Sequence, residues 1–276
     1  LGGVYAEMDQ AVYERMPMRM TRGIPSFSAP SEYVENYERI SRDHIKEFRA
    51  TGRNPWIPEA LWVESEDSTL EQIRRYSKPG DRILDVGVGM GRLLSRLPEW
   101  RRYGMDISQG YLEIAREKGI EVCCSLIEDM PYRSEFFDCV VCTDVLEHVI
   151  DLHLCSAKIL SVLRRGGHLV VRVPYREDMG PYVRPDLVYK YIHLRSFDEN
   201  TLRLLFEKVF GCTFCEMTIA GVAYGRLRFP FPGELPKRAL GKLMSLLARA
   251  WPSAHRRAAA ALYVPYVMTM TFGRPC

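Results

Sequence analysis

Residues 83–94, Ile-Leu-Asp-Val-Gly-Val-Gly-Met-Gly-Arg-Leu-Leu, constrain the fold more than any other stretch of the chain. The apolar run 83–86 follows the turn signal Lys78-Pro79-Gly80-Asp81 and reads as a buried strand. Gly87, Gly89 and Gly91 come next at alternate positions, where glycine admits positive φ and lets a ligand approach the backbone. Leu93 and Leu94 then open a helix. A strand, a glycine turn and a helix N-terminus together make a nucleotide-type site.

The ligand expected there is not a dinucleotide. The dinucleotide fingerprint is G-x-G-x-x-G, whereas the spacing here is G-x-G-x-G with Arg92 next. Asp85, two residues before the first glycine, repels a pyrophosphate but accepts from an ammonium. The next acidic strand end is Asp106, 21 residues after Asp85, where a ribose-binding carboxylate falls in the second βα unit. A ribose and a cation describe S-adenosylmethionine (SAM). The segment resembles motif I of the class I SAM-dependent methyltransferases, and Asp106 resembles the acidic residue ending their second strand.

Four further matches follow in order. Residues 127–132 resemble the adenine-side loop, 136–149 the fourth strand and the start of its helix, and 163–171 the helix–turn–strand signature. Residues 193–202 resemble the following connection in the UbiE/UbiG-like (methyltransferase type 11) branch. The resemblance covers about residues 70–220. It implies a Rossmann-like α/β fold with a seven-stranded sheet, an N-terminal helical cap and an insertion before the last strand. By the same resemblance Asp85 orients the methionine end of SAM, and Gly87, Gly89 and Gly91 bring backbone to it. Asp106 accepts from the ribose hydroxyls, Ile107, Ile127 and Glu128 flank the adenine, and Thr143 and Asp144 border the methionine.

The βα rhythm agrees. Strands are expected near 82–87, 102–106, 120–124, 137–142 and 167–173, and helices near 91–97, 109–118, 151–163 and 198–209, which argues for a parallel, doubly wound sheet. Two last strands, 213–220 and 266–272, pair as an antiparallel hairpin by the same resemblance. Before the core, a short helix over 6–16, a helix over 32–49 capped by Ser31 and another over 68–76 are expected, with Tyr33, Tyr37 and Trp56 facing either the pocket or the core. The divisions are an N-terminal cap (1–77), a SAM-binding core (78–220), a basic helical insertion (221–262) and a final strand (263–276).

The 276 residues carry a net charge of +3, which argues against a polyanion binder. Charge is concentrated in 221–262, with eight Lys or Arg against the single acid Glu234. Leu235, Leu240, Leu243, Leu246 and Leu247 recur there at helical spacing, beside Lys237, Arg238, Lys242 and Arg249. That segment is expected to wall the substrate site and meet an anionic acceptor or a membrane surface, or else to show its charges to water. No basic-then-apolar leader is read at the N-terminus, so a cytoplasmic protein, peripheral to a membrane at most, is expected. Cys139/Cys142 and Cys212/Cys215 lie in strand-like runs where i and i+3 face opposite ways, so they read as buried thiols rather than a zinc site.

Methyl transfer requires that the acceptor be held in line and that a hydroxyl acceptor lose a proton. The candidate bases are His148 and His193, because imidazole titrates near neutrality. Asp144, Glu147 and His148, sharing one face at the start of a helix, together with His193 from a neighbouring loop, also make a candidate set for Mg²⁺ or another divalent metal. The set resembles that of small-RNA 2′-O-methyltransferases and ubiquinone-pathway O-methyltransferases. The expected activity is O-methylation of a small-molecule, glycan or lipid-linked acceptor. The alternatives are metal-dependent 2′-O-methylation of nucleic acid, disfavoured because few aromatics stand beside the basic residues, and a non-catalytic SAM-binding protein.

Overall fold

The computed structural model describes residues 12–221, 226–227, 240, 242–244, 246–247, 250–251, 258 and 262–276. The first described elements are a hairpin of β1 (Arg19–Thr21) and β2 (Ile24–Ser26), followed by α1 (Glu32–Thr51) and α2 (Glu59–Tyr76). Ser31 Oγ accepts from the Val34 N–H at the start of α1, and Gly52, at φ 70°, stops it. The alternating core then runs β3 (Arg82–Val86), α3 (Arg92–Ser95), β4 (Arg101–Asp106), α4 (Gln109–Glu117), β5 (Glu121–Cys124), β6 (Phe137–Thr143), α5 (Leu152–Val162) and β7 (Leu163–Pro174). After it come α6 (Glu199–Arg203), continued by a π-helical turn over Leu204–Val209, and β8 (Thr213–Ala220). The two-residue strands β9 (Arg226–Leu227) and β10 (Tyr263–Val264) pair with each other, and β11 (Val267–Gly273) closes the sheet.

The sheet order is β1-β2-β5-β4-β3-β6-β7-β11-β8. Strands β3 to β7 are parallel, and β11 is antiparallel to both β7 and β8. β3, β4, β5, β6, β7, β8 and β11 are the seven expected strands of this Rossmann-like fold. The structure adds two at the β5 edge, where β2 runs parallel to β5 through Ser26 and Cys124. Among the described residues the N-terminal extension is helical in α1 and α2 alone. The short helix read over 6–16 falls mostly outside the described residues, and Tyr13 instead bridges Tyr132 with stacked rings 5.2 Å apart. α2 starts nine residues earlier than expected, at Glu59.

Side chains alternate across the strands with period two. Leu84, Val86, Val140, Cys142, Leu169 and Val171 pack on one face, while Ile83, Cys139, Val141 and Val170 pack on the other against Leu70 and Ile73 of α2 and Leu93 and Leu94 of α3. Cys139 and Cys142 thus part to opposite faces, and every described cysteine is a free thiol. The chain order reverses at β3, between β4 and β6, and the crevice at the carboxyl ends of these strands is where such sheets take ligands.

α2 is anchored across the antiparallel end of the sheet by one buried amide. Gln72 Nε2 donates to Thr218 Oγ1 (2.9 Å) and the Thr269 carbonyl (3.1 Å), and Gln72 Oε1 accepts from Thr271 Oγ1 (2.5 Å). Gln72→Leu removes all three bonds and leaves buried partners unsatisfied, so it should cost about 2–4 kcal/mol in urea unfolding. A change below about 0.5 kcal/mol would show that this amide does not hold α2 on the sheet.

Candidate active site

The chain leaves β3 in a left-handed turn that only glycine tolerates. Gly87 sits at φ 82°, and a Cβ there would lie 2.2 Å from Val145 Cγ2. The turn ends at Gly91, the N-cap of α3, where a Cβ would meet the Ala115 Cα at 3.1 Å. Gly87 and Gly89 line the cavity at the sheet crevice, whereas Gly91 and Thr143 do not. Gly91 therefore serves close packing of α3 on α4 rather than ligand contact, and Thr143 belongs to the β6 ladder. The cavity has a volume of about 620 Å³.

Asp106, at the end of β4, is locked in place. One carboxylate oxygen accepts from the Gly89 N–H and the other from the Ser108 N–H, each at 2.9 Å. Burial nevertheless raises its pKa to about 6, against the lowering effect of those N–H groups. Ile107, Leu126, Ile127 and Glu128 line the same end of the cavity. The loop carrying them is fixed from the N-terminal extension, as the Leu126 N–H donates to Ser28 Oγ at 2.8 Å. The extension also supplies Tyr33, Tyr37, Trp56 and Trp62 to the wall. Asp85 lies just behind the lining, 2% exposed, with its Oδ1 unpartnered and its pKa raised to about 7, mainly by burial.

At the other end stand Glu147, His148 and His193. Residues 144–150 are not the start of a helix as expected. Asp144 adopts φ 55°, a turn closes with the His148 N–H donating to the Val145 carbonyl (2.9 Å), and α5 begins only after its Asp151 cap. This separates Asp144 from the other three residues. Its carboxylate is taken by Arg172 of β7, with Nη2 to Oδ2 at 2.5 Å, so Asp144 is withdrawn from the expected metal set.

Glu147, His148 and His193 remain together, each offering a ligand atom within 4.8 Å of the others. His148 Nδ1 lies 3.0 Å from the Ile192 carbonyl, so it carries the proton and Nε2 keeps its lone pair. His193 Nδ1 bonds the Glu177 carboxylate, which fixes the same tautomer. Burial, then the neighbouring His193, lowers the His148 pKa to about 3. Glu147 is 1% exposed with neither carboxylate oxygen hydrogen-bonded, and burial pushes its pKa well above the usual carboxylate range.

The sequence reading missed Glu177 and Arg172. Arg172 had a visible signal, being a charged residue inside the apolar run of a central parallel strand, where both faces are buried. Glu177 had none, since the connection after β7 lacks any periodic pattern.

A family model described as a methyltransferase domain matches residues 84–171, which span the glycine turn, Asp106 and the Glu147–His148 turn. Residues 84–171 thus carry the pattern of a methyltransferase domain. It is similar to an uncharacterised protein of Methanocaldococcus jannaschii, 33% identical over 110 residues, covering 40% of this chain and 52% of that protein. It is also similar to a ubiquinone biosynthesis O-methyltransferase of Marinobacter nauticus, 27% identical over 151 residues, covering 49% and 63% of the two chains. The chain spans about half the length of the first curated relatives it matches. In fold it resembles magnesium protoporphyrin IX methyltransferase of Synechocystis PCC 6803, with a TM-score of 0.56 at 14% identity over 87% of this chain and 97% of that one.

A ribose placed at Asp106 would donate its hydroxyls to the ionised carboxylate, so such binding would favour charged Asp106 and release a proton wherever the apo protein holds one. The affinity for S-adenosylhomocysteine should therefore be constant above pH 7 and fall as pH drops below about 6, by up to about tenfold per unit. Calorimetry at pH 5 and pH 8 reads this directly. Asp106→Ala should weaken binding at pH 8 by about 1.5–3 kcal/mol, and a titration like that of the unaltered protein would remove Asp106 from the site.

Proposed function

We propose that the chain transfers a methyl group from SAM to a hydroxyl of a small-molecule, glycan or lipid-linked acceptor. The observation that carries this reading is one continuous cavity lined at one end by Gly87, Gly89 and Asp106 and at the other by His148 and His193, with Tyr37 in its wall. SAM supplies an electrophilic methyl on a sulfonium, and the protein has to align a nucleophile and take its proton.

The acceptor-end residues divide that work. His193 is the general base, because the Glu177 carboxylate on Nδ1 orients the ring and stabilises its imidazolium when Nε2 takes the hydroxyl proton. His148 stays neutral, and its Nε2 accepts a hydrogen bond that positions the acceptor. The flanking rings, His148 to His193 at 4.5 Å and His193 to Tyr182 at 4.8 Å, form a wall for a flat or apolar acceptor. α1 and the segment before α2 close the substrate side. Among the described lining residues the carboxylates outnumber the single Arg or Lys, Arg172, so the acceptor moiety inside the cavity is not anionic. A charged or lipid-linked remainder would be met by the basic segment 221–262. Leu235, Lys237, Arg238 and Arg249 there lie outside the described residues, while Lys242, Leu243 and Leu246 are exposed. Among the described residues no helix is long and apolar enough to cross a membrane.

A second reading is favoured by Glu147, whose buried and unpartnered carboxylate stands beside two imidazoles. Glu147, His148 and His193 fit a divalent cation. Two nitrogens and one oxygen suit Mn²⁺, Fe²⁺ or Zn²⁺ better than Mg²⁺, and Glu177 and the Ile192 carbonyl would orient the two rings. The cation would polarise the acceptor hydroxyl.

Isotopically labelled SAM offered with phenols, sugars and polyprenols should yield an O-methyl product. His193→Ala should lower kcat at least about 100-fold while leaving S-adenosylhomocysteine affinity within about twofold. Activity that survives exhaustive chelation supports the base. Loss on chelation that Mn²⁺ reverses, with Mn²⁺ binding abolished in Glu147→Gln, supports the cation. Full turnover in both His148→Ala and His193→Ala would overturn both.

A further inference from the structure

We propose that the helical face carrying Leu243, Leu246 and Ala250, with Trp251 at its end, is a docking surface for an anionic lipid bilayer. This goes beyond methyl transfer and stands whether or not the cavity takes SAM.

The helix is turned the wrong way for a globular domain. The described residues between 240 and 250 are helical, and the Trp251 N–H donates to the Leu247 carbonyl at 2.8 Å. An amphipathic helix on a soluble core turns its large apolar residues inward. Here Met244 is 7% exposed, but Leu243 and Leu246 are 61% and 64% exposed and Trp251 is 67% exposed. Leu243, Leu246 and Ala250 follow i, i+3, i+7 spacing, so they stand on one face, and Ala250 is exposed as well. A lone exposed leucine is ordinary, whereas a stripe of them ending in a tryptophan marks an interaction surface.

Charge selects the occupant. Residues 221–262 hold an excess of seven positive charges, and the whole chain is +3, so the remainder is −4. Lys242, next to Leu243, is exposed. Cations around an exposed apolar face suit an anionic bilayer, where Lys and Arg gain from the surface potential while Leu and Trp enter the interface. The same charge opposes a second copy of the chain, because a two-fold contact would set two such segments against each other. It also orients the protein, since anionic lipid attracts this segment and repels the net-negative remainder.

The place of the segment in the fold gives the contact a use. It leaves the sheet after Ala220, where the Gly221 N–H donates to Glu64 Oε1 at 2.9 Å. It returns at Tyr266, whose N–H donates to the Ala220 carbonyl at 3.1 Å. Both feet of the excursion therefore stand together, and Tyr266 and Val267 at the returning foot line the cavity. Leu243, Leu246 and Trp251 do not line it, so their apolar surface is not part of the acceptor site. Docking through them holds the protein at the surface from which a lipid-linked acceptor is drawn.

Co-sedimentation of the full chain with vesicles tests this. Phosphatidylcholine vesicles holding about 30% phosphatidylserine should bind it at least about tenfold tighter than phosphatidylcholine alone, and about 0.5 M NaCl should remove most of that preference. Leu243→Ser, Leu246→Ser and Trp251→Ser together should lose at least about tenfold in affinity for the anionic vesicles, and Lys242→Glu at least about threefold, each with an unaltered unfolding midpoint. Equal binding of the two vesicle types by the unaltered protein overturns the proposal and needs no variant to fold. So does an anionic-vesicle affinity that the triple variant leaves intact. A dimer in sedimentation equilibrium that the triple variant dissolves, without vesicle binding, would give the face to a second copy instead.

Discussion

Burial of negative charge at one edge of the sheet is the constraint on which the site depends. Asp85, Asp106 and Glu147 all sit at the carboxyl ends of neighbouring strands or just beyond them, Asp85 and Glu147 buried and Asp106 half-buried, with pKa values raised chiefly by desolvation. A fold selected for stability alone would place apolar groups there, since an ionised carboxylate in a dry interior is costly without partners. The two apolar layers on either side of the sheet supply the stability that lets the edge remain strained. Each carboxylate is compensated differently, Asp106 by two backbone amides, Asp85 by the nearby positive charge of Arg172, and Glu147 by no hydrogen bond at all.

That gradation orders the cavity. The most fully compensated carboxylate, Asp106, stands beside the glycine turn. The least compensated, Glu147, stands beside two imidazoles, where its protonation state is most responsive to its neighbours. Arg172 lines the same cavity. Its pairing with Asp144 also explains why the turn after β6 departs from helix, because the aspartate must point back toward β7 before the chain can present Glu147 and His148.

Much of this was legible in the sequence where local chemistry dictates structure. The glycine turn, Asp106, the Ser31 cap and the strand boundaries follow from patterns within a few residues, and the structure places them as the patterns imply. Long-range geometry was not legible. Asp144, Glu147 and His148 share a helical spacing on paper, but a buried cation 28 residues away captures Asp144 and the helix never starts there. The hairpin β1–β2 is three residues per strand and owes its place to pairing with β5, a contact no local window contains. Gly91 looked like a ligand-facing glycine because spacing cannot distinguish an approach to ligand from an approach to α4.

The connection between β7 and α6 has a further consequence. Asn36 of α1 treats it as a neighbouring strand would, its amide nitrogen donating to the Tyr191 carbonyl at 2.8 Å and its oxygen accepting from the Lys190 N–H at 2.9 Å. The same connection carries Glu177, Tyr182 and His193 into the cavity, and α1 carries Tyr33 and Tyr37. His193 and the opposing Tyr33–Tyr37 wall are thus tied together through Asn36, so two sides of one cavity that lie far apart in sequence share a single amide as their common fastening.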